Sequence, residues 1–184
     1  MGGCFLLLPL SVYAQKAPFV VTETHRQTLT KAELAELQSA EAKPMTTTDG
    51  KGIVLMGASG SLLVTTGPED DNESYRIHGI RNPALVLRAG ATVHLLFVNT
   101  DGDAPHDLRI GSVKPPDTAG TVGTIRLERA SGNTFSAEAI TIRALTPNRC
   151  IYYCSIGSHA KNGMQGAIIV LNSDATMPEM MRAQ

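Results

Sequence analysis

Three potential metal ligands lie at equal spacing in one short stretch of the sequence, YYCSIGSHAKNGMQG at residues 152–166. They are Cys154, His159 and Met164, and each is five residues from the next. Thiolate, imidazole and thioether are soft or borderline donors, and as a set they select copper. The stretch therefore predicts part of a copper site.

The spacing of these residues predicts a loop rather than a helix or a strand. On a helix, steps of five residues turn successive side chains through roughly 140°, which scatters them around the axis. On a strand, an odd step sends successive side chains to opposite faces. The segment SIGSHAKNG contains the Gly and Asn residues that allow a chain to turn back. It lies between two apolar runs, CIYYC and GAIIVLN, so we expect a ligand loop at the edge of a sheet.

A trigonal copper site of this type needs a second histidine, which the loop does not contain. The sequence offers four candidates: His25, His78, His94 and His106. His78 and His94 lie inside strand-like runs, where a histidine is more commonly a hydrogen-bonded residue of the sheet. His106 lies in the turn-rich segment NTDGDAPHDLRI, directly after the strand-like run TVHLLFVN. We therefore predict that His106 is the upstream ligand.

The two loop segments, FVNTDGDAPHDLRI and YYCSIGSHAKNGMQGAIIV, resemble the copper loops of cupredoxins, the small blue copper proteins. The Cys-x4-His-x4-Met spacing is more similar to the rusticyanin and sulfocyanin subgroup than to plastocyanin, whose Cys–His gap is shorter. The resemblance covers about residues 49–172 and implies an all-β fold, a Greek-key β-sandwich. It also implies one type 1 copper ion, Cu(I)/Cu(II), bound by His106, Cys154, His159 and Met164.

The function implied by the resemblance is single-electron transfer, not enzymatic catalysis. The expected partners are redox proteins such as a cytochrome c or a terminal oxidase, which would dock transiently near His159. No substrate pocket for a small molecule is indicated, and we expect a monomer. The formal net charge of −1 gives no reason to expect binding to nucleic acid or to an anionic membrane surface.

One departure from the family pattern follows the first ligand histidine. Cupredoxins often have Asn or Ser there, which joins the two loops by hydrogen bonds. Asp107 occupies this position, and Ser155 is its expected partner. A carboxylate near copper favours Cu(II) electrostatically, so Asp107 is expected to lower the reduction potential.

Cys150 is a second departure, because Cys150 and Cys154 together resemble the dinuclear copper site of cytochrome oxidase subunit II. In an extended chain, four residues separate the two Cα atoms by about 13 Å, which is too far for a disulfide or a shared copper core. We therefore expect Cys150 to be a small buried hydrophobic residue. The dinuclear site remains an alternative. A copper-trafficking or storage protein is another, suggested by the methionines of the tail: Met177, Met180 and Met181.

The chain is predicted to have four parts. Residues 1–14 contain an apolar run from Cys4 to Ala14 that is too short to span a bilayer and is typical of a signal peptide. Export to the periplasm is therefore expected, with membrane association of an uncleaved N-terminus as an alternative. Residues 15–48 form an N-terminal extension, in which Thr30 and Glu33 make a capping box that begins a helix, and Pro44 ends it.

The remaining two parts are a cupredoxin domain at residues 49–172 and a flexible C-terminal tail at residues 173–184. From Asp49 onward, short β-type runs alternate with Gly, Pro, Asn and Asp at roughly ten-residue intervals, a pattern typical of a β-sandwich or barrel. In the run AITIRAL, Ile140, Ile142 and Ala144 are predicted to face the core, and Thr141 and Arg143 the solvent.

Overall fold

The computed structural model describes residues 19–67, 71, 73–111, 121–124 and 126–183, and shows two sheets that share one core. The strands are β1 (Phe19–Thr30), β2 (Gly52–Val54), β3 (Ser59–Thr66), β4 (Tyr75–Ile77), β5 (Ile80–Arg81), β6 (Ala84–Arg88), β7 (Thr92–Asn99), β8 (Arg109–Gly111), β9 (Val122–Gly123), β10 (Thr134–Ala144), β11 (Asn148–Tyr153) and β12 (Gln165–Leu171). The helices are α1 (Lys31–Ala40) and α2 (Met177–Arg182). The predicted signal peptide, residues 1–14, lies outside the described residues.

In the described residues, the first sheet has the strand order β1-β10-β7-β3-β4-β5 and the second has β2-β6-β12-β11-β8-β9. The core between them combines side chains from both sheets, among them Phe97 and Ile140 from the first and Leu87 and Ile168 from the second. The alternation predicted for β10 is confirmed, because Ile140, Ile142 and Ala144 are buried whereas Arg143 is exposed. The predicted β-sandwich is therefore confirmed.

Three strands bring the candidate ligand loops to one end of the second sheet. β11 pairs antiparallel with both β8 and β12, and Tyr153 at the end of β11 lies opposite Arg109 and Gln165. The end of β11 therefore lies beside the starts of β8 and β12. The segment that precedes β8 contains His106, and the segment between β11 and β12 contains Cys154 and His159.

The N-terminal extension contains a strand that the sequence analysis did not predict. β1 pairs with β10 along its length, from Phe19 opposite Ala144 to Thr30 opposite Thr134, with a bulge between Val21 and Glu23. Most of its side chains are exposed, as suits an edge strand, and its polar sequence does not alternate clearly. The aromatic ring of Phe19 is nevertheless part of the core.

The helix predicted from the capping box is present as α1. The Thr30 hydroxyl accepts a hydrogen bond from the Glu33 amide, and the Glu33 carboxylate accepts one from the Thr30 amide, over 3.2 and 2.7 Å. Helix α1 packs on the outer face of the first sheet, where Leu34 is buried beside Leu63 and Val98. It ends at Ala40, four residues before Pro44. In the described part of the chain, no helix has the length and apolar character needed to cross a bilayer.

The C-terminal segment, for which we expected a flexible tail over residues 173–184, contains the helix α2. Met180 is fully buried against Val86 and Ile169 on the outer face of the second sheet. The outer face of the second sheet is apolar at this point, so burial of the Met180 side chain against it removes apolar surface from water. The thioether of Met180 is thus a packing group.

Candidate metal centre

The loop between β11 and β12 is closed on itself by backbone hydrogen bonds. The Cys154 amide donates to the Met164 carbonyl over 3.1 Å, and the Met164 amide donates to the His159 carbonyl over 2.9 Å. Gly157 and Gly163 have positive φ angles of 48° and 114°, a conformation that glycine adopts without steric strain. These turns bring residues five positions apart back to one another, as the loop prediction required.

His106 is held in place by the backbone on both sides. Its amide donates to the Leu127 carbonyl over 3.1 Å, and its carbonyl accepts from the Leu127 amide over 2.8 Å. This isolated antiparallel bridge lies just before β8. The imidazole of His106 is fully buried.

The structure brings His106, Cys154 and His159 together as one group of donor atoms. The Nδ1 atoms of His106 and His159 lie 3.2 Å apart. The Cys154 sulfur lies 3.5 Å from the Nδ1 atom of His159 and 3.8 Å from that of His106. The three atoms thus form a nearly equilateral triangle.

The size of this triangle fits a single first-row metal ion. Metal bonds of about 2.0–2.1 Å to imidazole and about 2.3 Å to thiolate are typical. In a trigonal arrangement, such bonds place two nitrogens about 3.5 Å apart, and a nitrogen and a sulfur about 3.8 Å apart. The two imidazoles and one thiolate are the donors of a trigonal copper site, so both the geometry and the chemistry fit copper.

Met164 lies at the base of the same loop and is fully buried. It belongs to the core cluster that contains Cys154, and its backbone forms hydrogen bonds with the backbones of both Cys154 and His159. The position is consistent with a fourth ligand. The roles of His106, Cys154, His159 and Met164 as metal ligands remain predictions.

Asp101 fixes the ring of His106, a role that the sequence analysis did not anticipate. The Nε2 atom of His106 lies 2.8 Å from the Asp101 carboxylate, and both side chains are buried. Because the carboxylate accepts a hydrogen bond, Nε2 of the neutral ring carries the proton and the lone pair lies on Nδ1, which faces Cys154 and His159. The only sequence signal is an acidic residue five positions before the histidine, in a segment typical of an ordinary turn.

Burial shifts the pKa values of His106 and Asp101 in opposite directions. Burial lowers the pKa of His106, although the hydrogen bond to Asp101 opposes that effect. For Asp101, burial alone would raise the pKa, but hydrogen bonds from His106 and from the amides of Asp103 and Ala104 outweigh it, so the pKa lies below its usual value. The neutral imidazole is therefore paired with a carboxylate.

Asp107 joins the two ligand loops through Ser155, as the sequence analysis expected. One carboxylate oxygen accepts from the Ser155 amide over 2.6 Å, and the other accepts from the Ser155 hydroxyl over 2.5 Å. The Arg109 guanidinium lies 2.9 Å from the same carboxylate. The Tyr75 hydroxyl donates to the Asp107 carbonyl over 2.5 Å.

The two described cysteines are both free and buried, but they occupy different sites. Burial raises the pKa of the Cys154 thiol to about 12, so a metal ion that binds there must displace a proton. Cys150 lies in the core between the sheets, as predicted, with its thiol 3.8 Å from the Ile168 carbonyl. Cys150 is not part of the donor group, which does not support the dinuclear alternative.

The other three histidines lie outside this group, around a separate cavity. His25, His78 and His94 line one cavity of about 670 Å³ beneath the segment that follows α1. The Nδ1 atom of His94 is 3.0 Å from the Thr141 hydroxyl, which fits the prediction of a hydrogen-bonded residue of the sheet. None of the three belongs to the donor group found in the described residues.

Comparison with known proteins finds similarity to rusticyanins, whereas no protein family model matches the chain. The chain is 33% identical over 103 residues to rusticyanin of Acidithiobacillus ferridurans, which covers 53% of this chain and 54% of that protein. It is 32% identical over 103 residues to a rusticyanin of Acidithiobacillus ferrooxidans, again over 53% of this chain and 54% of that protein. The chain thus spans about half the length of these curated relatives.

The similarity to solved structures is more extensive. A crystal structure of rusticyanin from Thiobacillus ferrooxidans superposes with a TM-score of 0.70 at 25% identity, and covers 81% of this chain and 99% of that one. Reduced rusticyanin superposes with a TM-score of 0.69 at 24% identity, over 80% of this chain and 100% of that one. The similarity therefore includes the whole fold of those structures.

Proposed function

We propose that the chain is a cupredoxin similar to the rusticyanins, and that it is a single-electron carrier, not an enzyme. The proposed ligands of its copper ion are His106, Cys154, His159 and Met164. When bound, copper supplies a one-electron couple between Cu(II) and Cu(I). The observation that carries the proposal is the triangle of donor atoms of His106, Cys154 and His159, with edges of 3.2, 3.5 and 3.8 Å.

The protein contributes a site whose donors already lie in place. The rings of His106 and His159 are 4.7 Å apart between centroids, and the backbone holds each ligand segment by hydrogen bonds on both sides of the donor. A site that does not rearrange between oxidation states transfers electrons with little reorganisation. The rigidity of the two loops therefore supports rapid electron transfer.

The burial of the donors suggests where electrons enter and leave. Cys154 and Met164 are buried beneath the loop, whereas His159 is partly exposed at the end of the sandwich. Ile156, which packs against the core beside it, helps to exclude water from the site. We propose that a redox partner, such as a cytochrome c or a terminal oxidase, docks transiently over His159.

A periplasmic location and a place in a respiratory chain are part of the proposal. They rest on the apolar run at residues 4–14, which is typical of a signal peptide, and on the similarity to the rusticyanins. The partner in that chain is proposed to be a protein that exchanges single electrons.

Copper loading of the purified protein tests the proposal. We expect an intense visible absorption from thiolate-to-Cu(II) charge transfer at one copper per chain, bleached by a reductant and restored by an oxidant. A colourless protein that binds only Cu(I) would instead indicate copper trafficking or storage. Zinc loading provides the control, because a d¹⁰ ion should occupy the same donors without colour.

A further inference from the structure

Two buried carboxylates flank the candidate ligands, and their surroundings differ. Asp101 contacts the ring of His106, and Asp107 joins the loops through Ser155. The Asp107 carboxylate is also paired with the Arg109 guanidinium at 2.9 Å. Among the ion pairs of the described residues, Asp101 has only the His106 ring as a partner.

The hydrogen bonds of Asp101 are those of a carboxylate that carries its charge. One oxygen accepts from the Asp103 amide over 2.7 Å and from the Ala104 amide over 3.3 Å. The other oxygen accepts a hydrogen bond from Nε2–H of His106. All three partners are donors, so no acceptor is present in this set to receive a proton from Asp101.

The Asp101 charge lies where it would affect the relative stability of the two oxidation states of a metal bound at Nδ1. Only the imidazole ring lies between Asp101 and that position, and both side chains are buried, so the charge is weakly screened. A carboxylate that accepts a hydrogen bond from Nε2–H also makes the ring a stronger donor at Nδ1. Both effects stabilise Cu(II) more than Cu(I), because Cu(II) carries the larger charge.

We propose that Asp101 is a positioning residue that lowers the reduction potential of the site, and that its effect exceeds that of Asp107. This inference rests on the proposed function. The two carboxylates differ because the cation of Arg109 offsets the charge of Asp107, while Asp101 has no such cation among the described residues. Asp101 therefore contributes the larger part of the negative charge that surrounds the ligands.

The decisive experiment compares Asp101→Asn with the matched variant Asp107→Asn in the copper-loaded protein. Asn keeps the shape and an acceptor oxygen but removes the charge. We expect Asp101→Asn to raise the midpoint potential in a spectroelectrochemical titration, and to raise it more than Asp107→Asn does. In chelator competition, the Cu(II) affinity should fall by about tenfold or more, and the Cu(I) affinity by less.

A second readout uses the metal-free protein. In a proton–nitrogen NMR spectrum, the Nε2 proton of His106 should be downfield and slow to exchange in the wild type. It should move upfield and exchange faster in Asp101→Asn, and stay unchanged in Asp107→Asn. An unchanged Nε2 proton in Asp101→Asn would overturn the positioning role.

A third variant keeps the test informative if Asp101→Asn folds poorly. Arg109 is 30% exposed, so Arg109→Gln should fold. It leaves the charge of Asp107 unbalanced and should lower the potential. An unchanged or higher potential in Arg109→Gln, or equal shifts in the two Asn variants, would contradict the inference.

Failure of the proposed function can be distinguished from failure of the inference. If the wild-type protein gave no thiolate-to-Cu(II) colour, the proposed function would fail and the inference with it. A coloured wild type with no shift of the potential in Asp101→Asn would refute the inference alone.

Discussion

Asp107 and Ser155, 48 positions apart in the sequence, are joined by two hydrogen bonds of 2.6 and 2.5 Å. They lie next to His106 and Cys154 respectively, so the pair connects the two ligand segments directly. The Asp107 carboxylate is almost fully buried, and hydrogen bonds to a buried charge are stronger than those between neutral groups. The relative position of the two loops therefore depends on this contact.

Removal of the Asp107 carboxylate should destabilise the metal-free protein. Asp107→Ala leaves the Ser155 amide and the Arg109 guanidinium without their shared acceptor, and we expect a loss of about 2–4 kcal/mol in the free energy of unfolding. Urea denaturation measures it. Ser155→Ala is the control, because it removes only the hydroxyl bond and should cost about 0.5–1.5 kcal/mol. Equal losses in the two variants would show that the carboxylate adds nothing beyond the hydroxyl bond.

The two buried cysteines should differ in their effect on the copper spectrum. Cys154→Ser removes the thiolate and should abolish the thiolate-to-Cu(II) absorption of the loaded protein. Cys150→Ser alters a side chain in the core and should leave the absorption largely intact. The visible spectrum at equal copper content distinguishes the two. Loss of the band in Cys150→Ser, with folding retained by circular dichroism, would favour a dinuclear site.

The upstream histidine can be tested in the same way. His106→Ala removes one corner of the donor triangle and should lose copper on desalting, whereas His94→Ala should retain one copper per chain. His94 is a suitable control because it lies on the outer face of the first sheet, beside Thr141. Copper content by atomic absorption is the measurement. The reverse pattern would show that His106 is not the ligand.

The N-terminal strand should be an integral part of the sandwich. Phe19 is buried in the core, so Phe19→Ala should destabilise the fold by about 3–5 kcal/mol. The adjacent Val20 is 43% exposed, and Val20→Ala should change the stability by about 0.5 kcal/mol or less. Thermal or urea unfolding of the two variants provides the comparison. Similar stabilities for both would indicate that β1 contributes little to the core.

The ligand loop could be predicted because its spacing excludes regular elements. Steps of five residues fit neither a helix nor a strand, so Cys154 and His159 had to lie in a loop. His106 could be chosen because its segment is rich in turn residues. Of the histidines expected in strands, His94 lies in β7, but His78 lies in the turn between β4 and β5, with a φ of 49°. The burial of Cys150 followed from its distance of four positions from Cys154 along a strand.

The contact between Asp101 and His106 could not be predicted, because it depends on the conformation of the folded turn. The Asn99 amide group donates to the Ala104 carbonyl over 3.0 Å, and the Asp101 carboxylate accepts from the Asp103 amide. These contacts aim the carboxylate at the ring of His106. In the sequence, the same residues are typical of any polar turn.

β1 was missed for a different reason. An edge strand that exposes both its faces along most of its length shows little hydrophobic alternation, so the period on which strand prediction depends is absent. Its place in the sheet is set by hydrogen bonds to β10, which are independent of side-chain type.

The pairing of β1 with β10 also has a consequence for how the chain folds. Phe19 lies opposite Ala144 and Thr30 opposite Thr134, so more than 100 residues separate the partners in the sequence. Contacts of such high contact order form slowly, because a long loop must close before they provide any stabilisation. A chain that emerges from its N-terminus therefore cannot complete the first sheet until residues 134–144 are available. Until then, β1 has no partner strand and β7 has a free edge, and this is the stage at which the protein is most exposed to aggregation.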